Sequence, residues 1–217
     1  MARACARFGR REMLALAAGL LVLAPLAKSP SAQPSSPSAE QVVQGLADDI
    51  WTTLQTNGVD EDGRLDELMA LLEVRTDVGL ISRLALGRYW NRLPEAQRQE
   101  YQELFREVVI RSFARRLNGY AKDANGPIEE RFQILGSAPA GKDDTLVRSK
   151  VFPTDGPPLA LDWRLRAGDS GPVIIDLIVE GASLLVSQRS EFAAVIERRD
   201  LDGLLAELRA RAGPAPS

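Results

Sequence analysis

Across residues 145–180 the chain alternates apolar and polar side chains, and no other feature restricts the fold as much. Successive side chains of a strand point to opposite faces, so a period of two marks strands with one covered face. Leu159, Leu161, Trp163 and Leu165 share one face; Ala160, Asp162, Arg164 and Arg166 share the other. Val173, Ile175, Leu177 and Val179 repeat the pattern. With 128–135 and 145–152, the chain has about four expected strands. The turns between them contain Gly141-Lys142-Asp143-Asp144, Asp155-Gly156-Pro157 and Gly168-Asp169-Ser170-Gly171. Such short connections predict an antiparallel meander. Its hydrocarbon face must be covered by something.

The rest of the chain is helical in period. Val43, Leu46, Ile50 and Leu54 mark a first helix, ended by Gly58 and the acidic turn Asp60-Glu61-Asp62-Gly63. That turn lacks the glutamate an EF-hand carries at its twelfth position, so it is read as a solvated turn. Leu65, Leu68, Met69, Leu72 and Val74 mark a second helix, and 77–86 a third. Pro94 then opens the longest helix, extending to about Tyr120; a proline fits the first turn because its missing N–H is not needed there. Tyr101, Leu104, Phe105, Val108, Val109, Phe113, Leu117 and Tyr120 form its apolar stripe. Arg111, Arg115 and Arg116 lie in its C-terminal half. They complement the helix dipole on a solvated face, or contact a lipid headgroup or acidic partner. After Asn125-Gly126-Pro127 the period changes from 3.6 to 2. It returns to helix over 190–199 and 201–211. The expected class is therefore α+β, an antiparallel sheet of about four strands with N-terminal and C-terminal helices, whose apolar faces are buried against each other or against something else.

The first 38 residues read as an address. Arg3, Arg7, Arg10 and Arg11 precede the run MLALAAGLLVLAPL, which has the length of a secretory h-region and is short for a membrane span. Gly9-Arg10-Arg11-Glu12-Met13-Leu14 resembles a twin-arginine signal, and a Sec signal with paired arginines is the alternative. An uncleaved anchor is a third reading. The expected organisation is a signal peptide at 1–27, a Pro/Ser-rich leader at 28–38, one domain at 39–212 and a tail at 213–217. Removing the signal leaves 23 basic against 29 acidic residues. That balance disfavours nucleic acid as a partner.

The residue inventory excludes much chemistry. The chain has no histidine, and its single cysteine, Cys5, lies in the expected signal. Triads, HExxH zinc sites, thiolate catalysis and disulfides are therefore unavailable to the mature protein. Asp162 and Asp176 fall on the polar strand face and read as surface charges. No catalytic residue, metal or cofactor is expected.

Three stretches resemble the MlaC family of periplasmic phospholipid-binding proteins, also called the toluene-tolerance auxiliary family. The first is Leu86-Gly87-Arg88-Tyr89-Trp90 with Pro94-Glu95-Ala96-Gln97-Arg98 and the long helix. The second pairs Val147-Arg148-Ser149-Lys150-Val151 with Leu161-Asp162-Trp163-Arg164-Leu165. The third is Asp176-Leu177-Ile178-Val179-Glu180-Gly181-Ala182-Ser183-Leu184, followed by Arg189-Ser190-Glu191-Phe192 and Leu201-Asp202-Gly203-Leu204-Leu205. One departure is Pro172-Val173, where the family usually has a tryptophan before the last strand.

The resemblance implies a curved antiparallel sheet wrapped by N-terminal and C-terminal helices and enclosing an apolar cavity, in a monomeric periplasmic carrier whose cargo is a phospholipid or a hopanoid. It implies docking to an inner-membrane ABC transporter with an MCE-domain subunit and to an outer-membrane lipoprotein complex, in support of outer-membrane lipid asymmetry. The residues expected to line the acyl cavity are Tyr101, Phe105, Val108, Val109 and Phe113 from the helix. From the sheet they are Val147, Val151, Leu161, Trp163, Leu165, Ile175 and Leu177. Two other readings stay open: a partner domain with a filled core, and a cone-shaped NTF2-like enzyme with an inward acid or tyrosine.

Overall fold

The structure, a computed structural model, describes residues 37–212 apart from Asn57 and Ser170. The expected signal, most of the leader and the tail lie outside the described residues.

Side-chain caps set the helix starts. Ser38 and Gln41 form a reciprocal capping box that opens α1 (Ala39–Gln55). The Asp60 carboxylate accepts from the Gly63 N–H at 2.8 Å and opens α2 (Glu61–Arg75). The acidic run is therefore the first turn of a helix, where negative charge suits the dipole, and not a turn that merely ends α1. Asp77 caps α3 (Val78–Leu86) in the same way, through the Leu80 N–H at 2.8 Å. A 3₁₀ turn, Gly87–Arg92, then leads to Pro94 and α4 (Glu95–Phe105).

The long helix is not straight in register. A π-helical turn, Arg106–Ile110, joins α4 to α5 (Arg111–Asn118), with the Arg111 N–H donating to the Arg106 carbonyl. That turn inserts one extra residue. The buried line consequently runs Tyr101, Phe105, Ile110, Ala114, Asn118, in steps of four, five, four and four. A uniform 3.6-residue stripe would have left Ile110 out. The helix ends at Asn118, and Tyr120 beyond it is exposed.

The sheet is a five-stranded antiparallel meander in the order β1-β2-β3-β4-β5, curved and unclosed. Its strands are β1 (Phe132–Pro139), β2 (Asp144–Val151), β3 (Leu159–Gly168), β4 (Gly171–Val179) and the two-residue β5 (Ala182–Ser183). The first strand starts four residues later than the alternation suggests, because Pro127 is followed by a 3₁₀ turn at Ile128–Glu130. A bulge lies between Ile134 and Gly136, leaving Leu135 exposed. Glu180 and Gly181 both have positive φ, as a two-residue hairpin of the primed type needs, and fold β5 back on β4.

A second bulge decides which side chains of β4 face inward. Trp163 pairs with Leu177 and Arg164 with Asp176, but Leu165 pairs with Ile174. Ile175 is the extra residue. Ile174 therefore joins the apolar face, and Val173 sits opposite Arg166 on the other one. The strict alternation of Val173 with Ile175, Leu177 and Val179 is broken at that point.

The helices cover the sheet's apolar face. Packing joins α1 to β1 and β2, and α3 and α6 (Leu184–Ala212) to β4. Asp200, at φ 59°, splits α6 into two arms. Its carboxylate caps the second arm through the Gly203 N–H at 3.0 Å. A Cβ on Gly203 would lie 2.4 Å from Arg199 Cβ, so the junction has room only for glycine there. An aromatic cluster of Trp90, Tyr101, Phe105 and Phe192, with Tyr101 at 6.0–6.3 Å from the other rings, ties α4 to the first arm. Among the described residues, no helix is long and apolar enough to cross a membrane.

On the outer face Asp144 is buried under two arginines. Arg166 donates to its two oxygens at 2.7 and 3.1 Å, and Arg164 lies at 2.9 Å. The hydrogen bond from Arg166 holds the Asp144 carboxyl below its usual range, against the opposing effect of burial. A depressed folded-state pKa adds stability that is present above the ordinary aspartate range and is lost as pH falls through the folded value. Asp144→Asn is expected to lower stability by about 1–2 kcal/mol at neutral pH. It should also flatten the fall in melting temperature below about pH 4. Thermal melts of both proteins across that range check this; parallel curves would contradict it.

Candidate ligand cavity

The helical layer does not fill all the space over the apolar sheet face. A cavity of about 330 Å³ lies between β3–β4, the α4–α5 helix and the start of α6. The sheet contributes Trp163, Ile174, Ile175 and Leu177 to its lining. The long helix contributes Phe105, Val109, Ile110 and Phe113. Leu46, Leu72, Ile81 and Ala85 come from α1, α2 and α3, and Leu184 and Leu185 from α6.

Six of the twelve residues expected from sequence meet in this lining: Phe105, Val109, Phe113, Trp163, Ile175 and Leu177. The other six lie outside it. Tyr101, Val147 and Leu165 are packed in the solid core, each at most 1% exposed. Val108 is buried too, while Val151 and Leu161 are half-buried against the core. The π turn separates Val108 from Val109 in role: the first is buried, and the second is half-buried and lines the cavity.

Tyr101 is committed structurally. Its hydroxyl donates to the Ser82 carbonyl at 2.9 Å, and burial pushes the phenol well above its ordinary pKa. The Trp163 indole N–H donates to Ser149 Oγ at 3.0 Å, so its polar atom is satisfied and the ring presents only hydrocarbon.

The polar atoms of the lining are largely spent within the fold. The hydroxyls of Thr76, Ser112 and Ser187 donate to the carbonyls of Leu72, Val108 and Ser183, four residues back in each case. Asp176, expected as a surface charge, is buried instead. The hairpin folds Ser183 and the start of α6 back over it. Its carboxylate accepts from Ser183 Oγ at 2.6 Å and from the Leu185 N–H at 3.0 Å. Ser183 Oγ in turn accepts from the Val186 N–H at 3.0 Å. The Asp176-to-Leu184 motif thus joins the last hairpin to a capped helix N-terminus. Two arginines, Arg116 and Arg211, complete the lining along with Gln188 and Glu191.

Sequence reasoning missed Ile110, Ile174 and the far wall. The apolar run Val108-Val109-Ile110 is wider than one helical stripe and was the available sign of a register change. Leu46, Leu72, Ile81 and Ala85 look like ordinary core positions, and nothing local marks them as cavity walls.

The chain matches the family model described as MlaC protein over residues 40–210. It belongs to the MlaC family. A solved structure adds to the picture: the phospholipid-binding protein from Ralstonia solanacearum, in complex with a phospholipid. The two are 27% identical and superpose with a TM-score of 0.68, covering 81% of this chain and 97% of that one. MlaC membership accounts for the order of the sequence stretches at Leu86, Val147 and Asp176.

If the Asp176 carboxylate is a helix cap, Asp176→Ala should destabilise this MlaC-family domain by about 1–2 kcal/mol. Asp176→Asn, which keeps an acceptor, should cost less. Denaturant unfolding measures both; a neutral alanine variant would contradict the assignment.

Proposed function

We propose that the protein is a periplasmic lipid carrier that takes a phospholipid, or a hopanoid-type lipid, between the inner and outer membranes. The cargo is bound whole and released whole, and is not a cofactor. The observation that carries this reading is the cavity itself, with walls from every layer and hydroxyls turned into their own helices. Such a lining offers a reacting group little, but suits hydrocarbon. The phospholipid in the Ralstonia solanacearum relative supports the same cargo class.

The mechanism follows from transfer energetics. About 30 methylenes in two acyl chains cost roughly 24 kcal/mol in water, at ~0.8 kcal/mol each. A cavity as apolar as a bilayer offsets that cost for each methylene it encloses, which narrows the gap between the carrier-bound and membrane states. Small differences in affinity at each docking site then set the direction. The donor and acceptor in this reading are an inner-membrane ABC transporter with an MCE-domain subunit and an outer-membrane lipoprotein complex. Net transport between them maintains outer-membrane lipid asymmetry, and the carrier acts as a monomer. An NTF2-like enzyme is less well supported: its inward acid would be Asp176, which is already held by Ser183 and the α6 backbone.

A filled core and a lipid cavity respond in opposite ways to a buried charge. Phe105 is 1% exposed in the aromatic cluster, so Phe105→Asp should unfold the domain, because an unpaired buried carboxylate costs several kcal/mol. Val109 and Phe113 are half-buried on the cavity wall. Val109→Asp and Phe113→Asp should stay folded, since water can enter and solvate the charge, but should lose co-purifying lipid. Melting curves beside lipid mass spectrometry decide it. Unfolding of both variants, or normal lipid in both, would contradict the carrier reading.

A further inference from the structure

We propose that an arginine patch built around the 3₁₀ turn Gly87–Arg92 is a docking surface for an acidic protein partner. The patch comprises the end of α3, that turn, the start of α4 and the first arm of α6. Residues 83–98 contain Arg83, Arg88, Arg92 and Arg98 but a single acid, Glu95. Arg189 joins them from α6, where its Nε donates to the Leu84 carbonyl at 2.8 Å beside Gly87. None of these residues lines the cavity, so the proposal stands apart from the carrier reading.

Two aromatic rings set the arginines in place. Arg88 and Arg92 lie over the Tyr89 ring, 4.9 and 5.4 Å from its centre. Arg83 and Arg98 lie over the Trp90 ring, at 5.8 and 5.5 Å. The rings are fixed in turn: Tyr89 is buried, and Trp90 packs edge-on against Tyr101 at 6.3 Å. Two guanidinium groups on one ring lie within about 11 Å of each other, on the order of one screening length. A guanidinium held by its face keeps its in-plane N–H donors for another partner.

The fold does not neutralise this charge. Arg88 pairs with Glu197 at 3.2 Å and Arg98 with Glu95 at 3.0 Å. Among the described residues Arg83, Arg92 and Arg189 form no ion pair, and all three are exposed. Of the other nearby acids, Asp77 caps α3, Asp202 accepts from the Gln97 amide and Glu100 pairs with Arg209. Glu191 is two residues from Arg189 but about 200° away round α6, and lines the cavity instead. Three unpaired, pre-positioned arginines beside a half-buried tryptophan are the make-up of a protein interface, where arginine and aromatic anchors concentrate binding energy. Carboxylates at fixed positions on an acidic surface match such forks. An anionic membrane is the poorer match. It gains only ~1 kcal/mol per basic residue, the rest of the chain is acidic, and residues 83–98 hold no exposed large apolar side chain to insert.

The test places the photo-cross-linking residue p-benzoylphenylalanine at exposed Asn91, inside the patch, or at exposed Lys122, outside it. The full chain is expressed in the cells that make it, and adducts are mapped by mass spectrometry. Position 91 should give one protein adduct, cross-linked within an Asp- and Glu-rich segment, that position 122 does not give. Arg83→Gln/Arg92→Gln should lower its yield roughly tenfold, as expected for two charge-assisted contacts at an exposed site, with melting temperature unchanged. Arg83→Lys/Arg92→Lys should give an intermediate yield, because charge remains and the fork is gone. In extracts, the yield from the otherwise unaltered chain should fall on raising salt to about 0.5 M, a readout that does not depend on how the variants fold. An adduct on a segment without acids, a yield insensitive to salt, or an undiminished yield from a folded glutamine variant overturns the proposal. So does a lipid adduct, in favour of a membrane surface, or an adduct with a second copy of this chain, in favour of self-association. The absence of any adduct specific to position 91 overturns it outright.

Discussion

The fold depends on covering one hydrocarbon surface with helices that do not quite reach across it. Val147, Trp163 and Leu177 stand in one cross-strand row, and Leu165 and Ile174 stand beside each other in the next. Leaving such a surface wet costs about 25 cal/mol per Å², so helices must pack on it. They do so completely over Val147 and Leu165, which are at most 1% exposed. Over Trp163 and Leu177 the packing leaves the cavity. A sheet that curves, and a helix whose register shifts at Arg106–Ile110, cannot match along their whole lengths. The unmatched part is the candidate site.

Two local devices hold that mismatch open. The π turn follows Phe105, which packs in the aromatic cluster as well as bordering the cavity, and sets Val109 and Phe113 on the cavity wall beyond it. The Asp176–Ser183–Leu185 hydrogen bonds fix where α6 begins, and so where the cavity wall ends. Both work through directional bonds rather than volume filling. A wall held that way can stay in place while the space it encloses is empty or occupied, which a carrier requires and a filled core does not.

The parts of this fold written in a simple period were legible in sequence. Strands β2 and β3 pair without a break over eight residues, and their place in an antiparallel meander could be anticipated. Strand β5 has two residues and cannot display a period. The bulges at Leu135 and Ile175 each add one residue, which reverses the inside–outside order beyond them and defeats a strict alternation. The π turn does the same to the helix. The candidate site was half legible for that reason: Phe113 and Trp163 fall on strong apolar faces, while Ile110 and Ile174 are placed by register shifts. Asp176 was misplaced because its burial comes from a hairpin that folds back over it, a tertiary event with no trace in the local pattern.

The central claim is that the space over Trp163 and Leu177 is occupied by one lipid in the working protein. Native mass spectrometry of protein purified from the cells that make it, without detergent, tests it most directly. The account predicts a single non-covalent adduct per chain with the mass of a phospholipid or a hopanoid-type lipid, removed by organic extraction from a chain that refolds empty. A bare chain under the same gentle conditions, from cells whose other lipid-binding proteins retain their cargo, would contradict it.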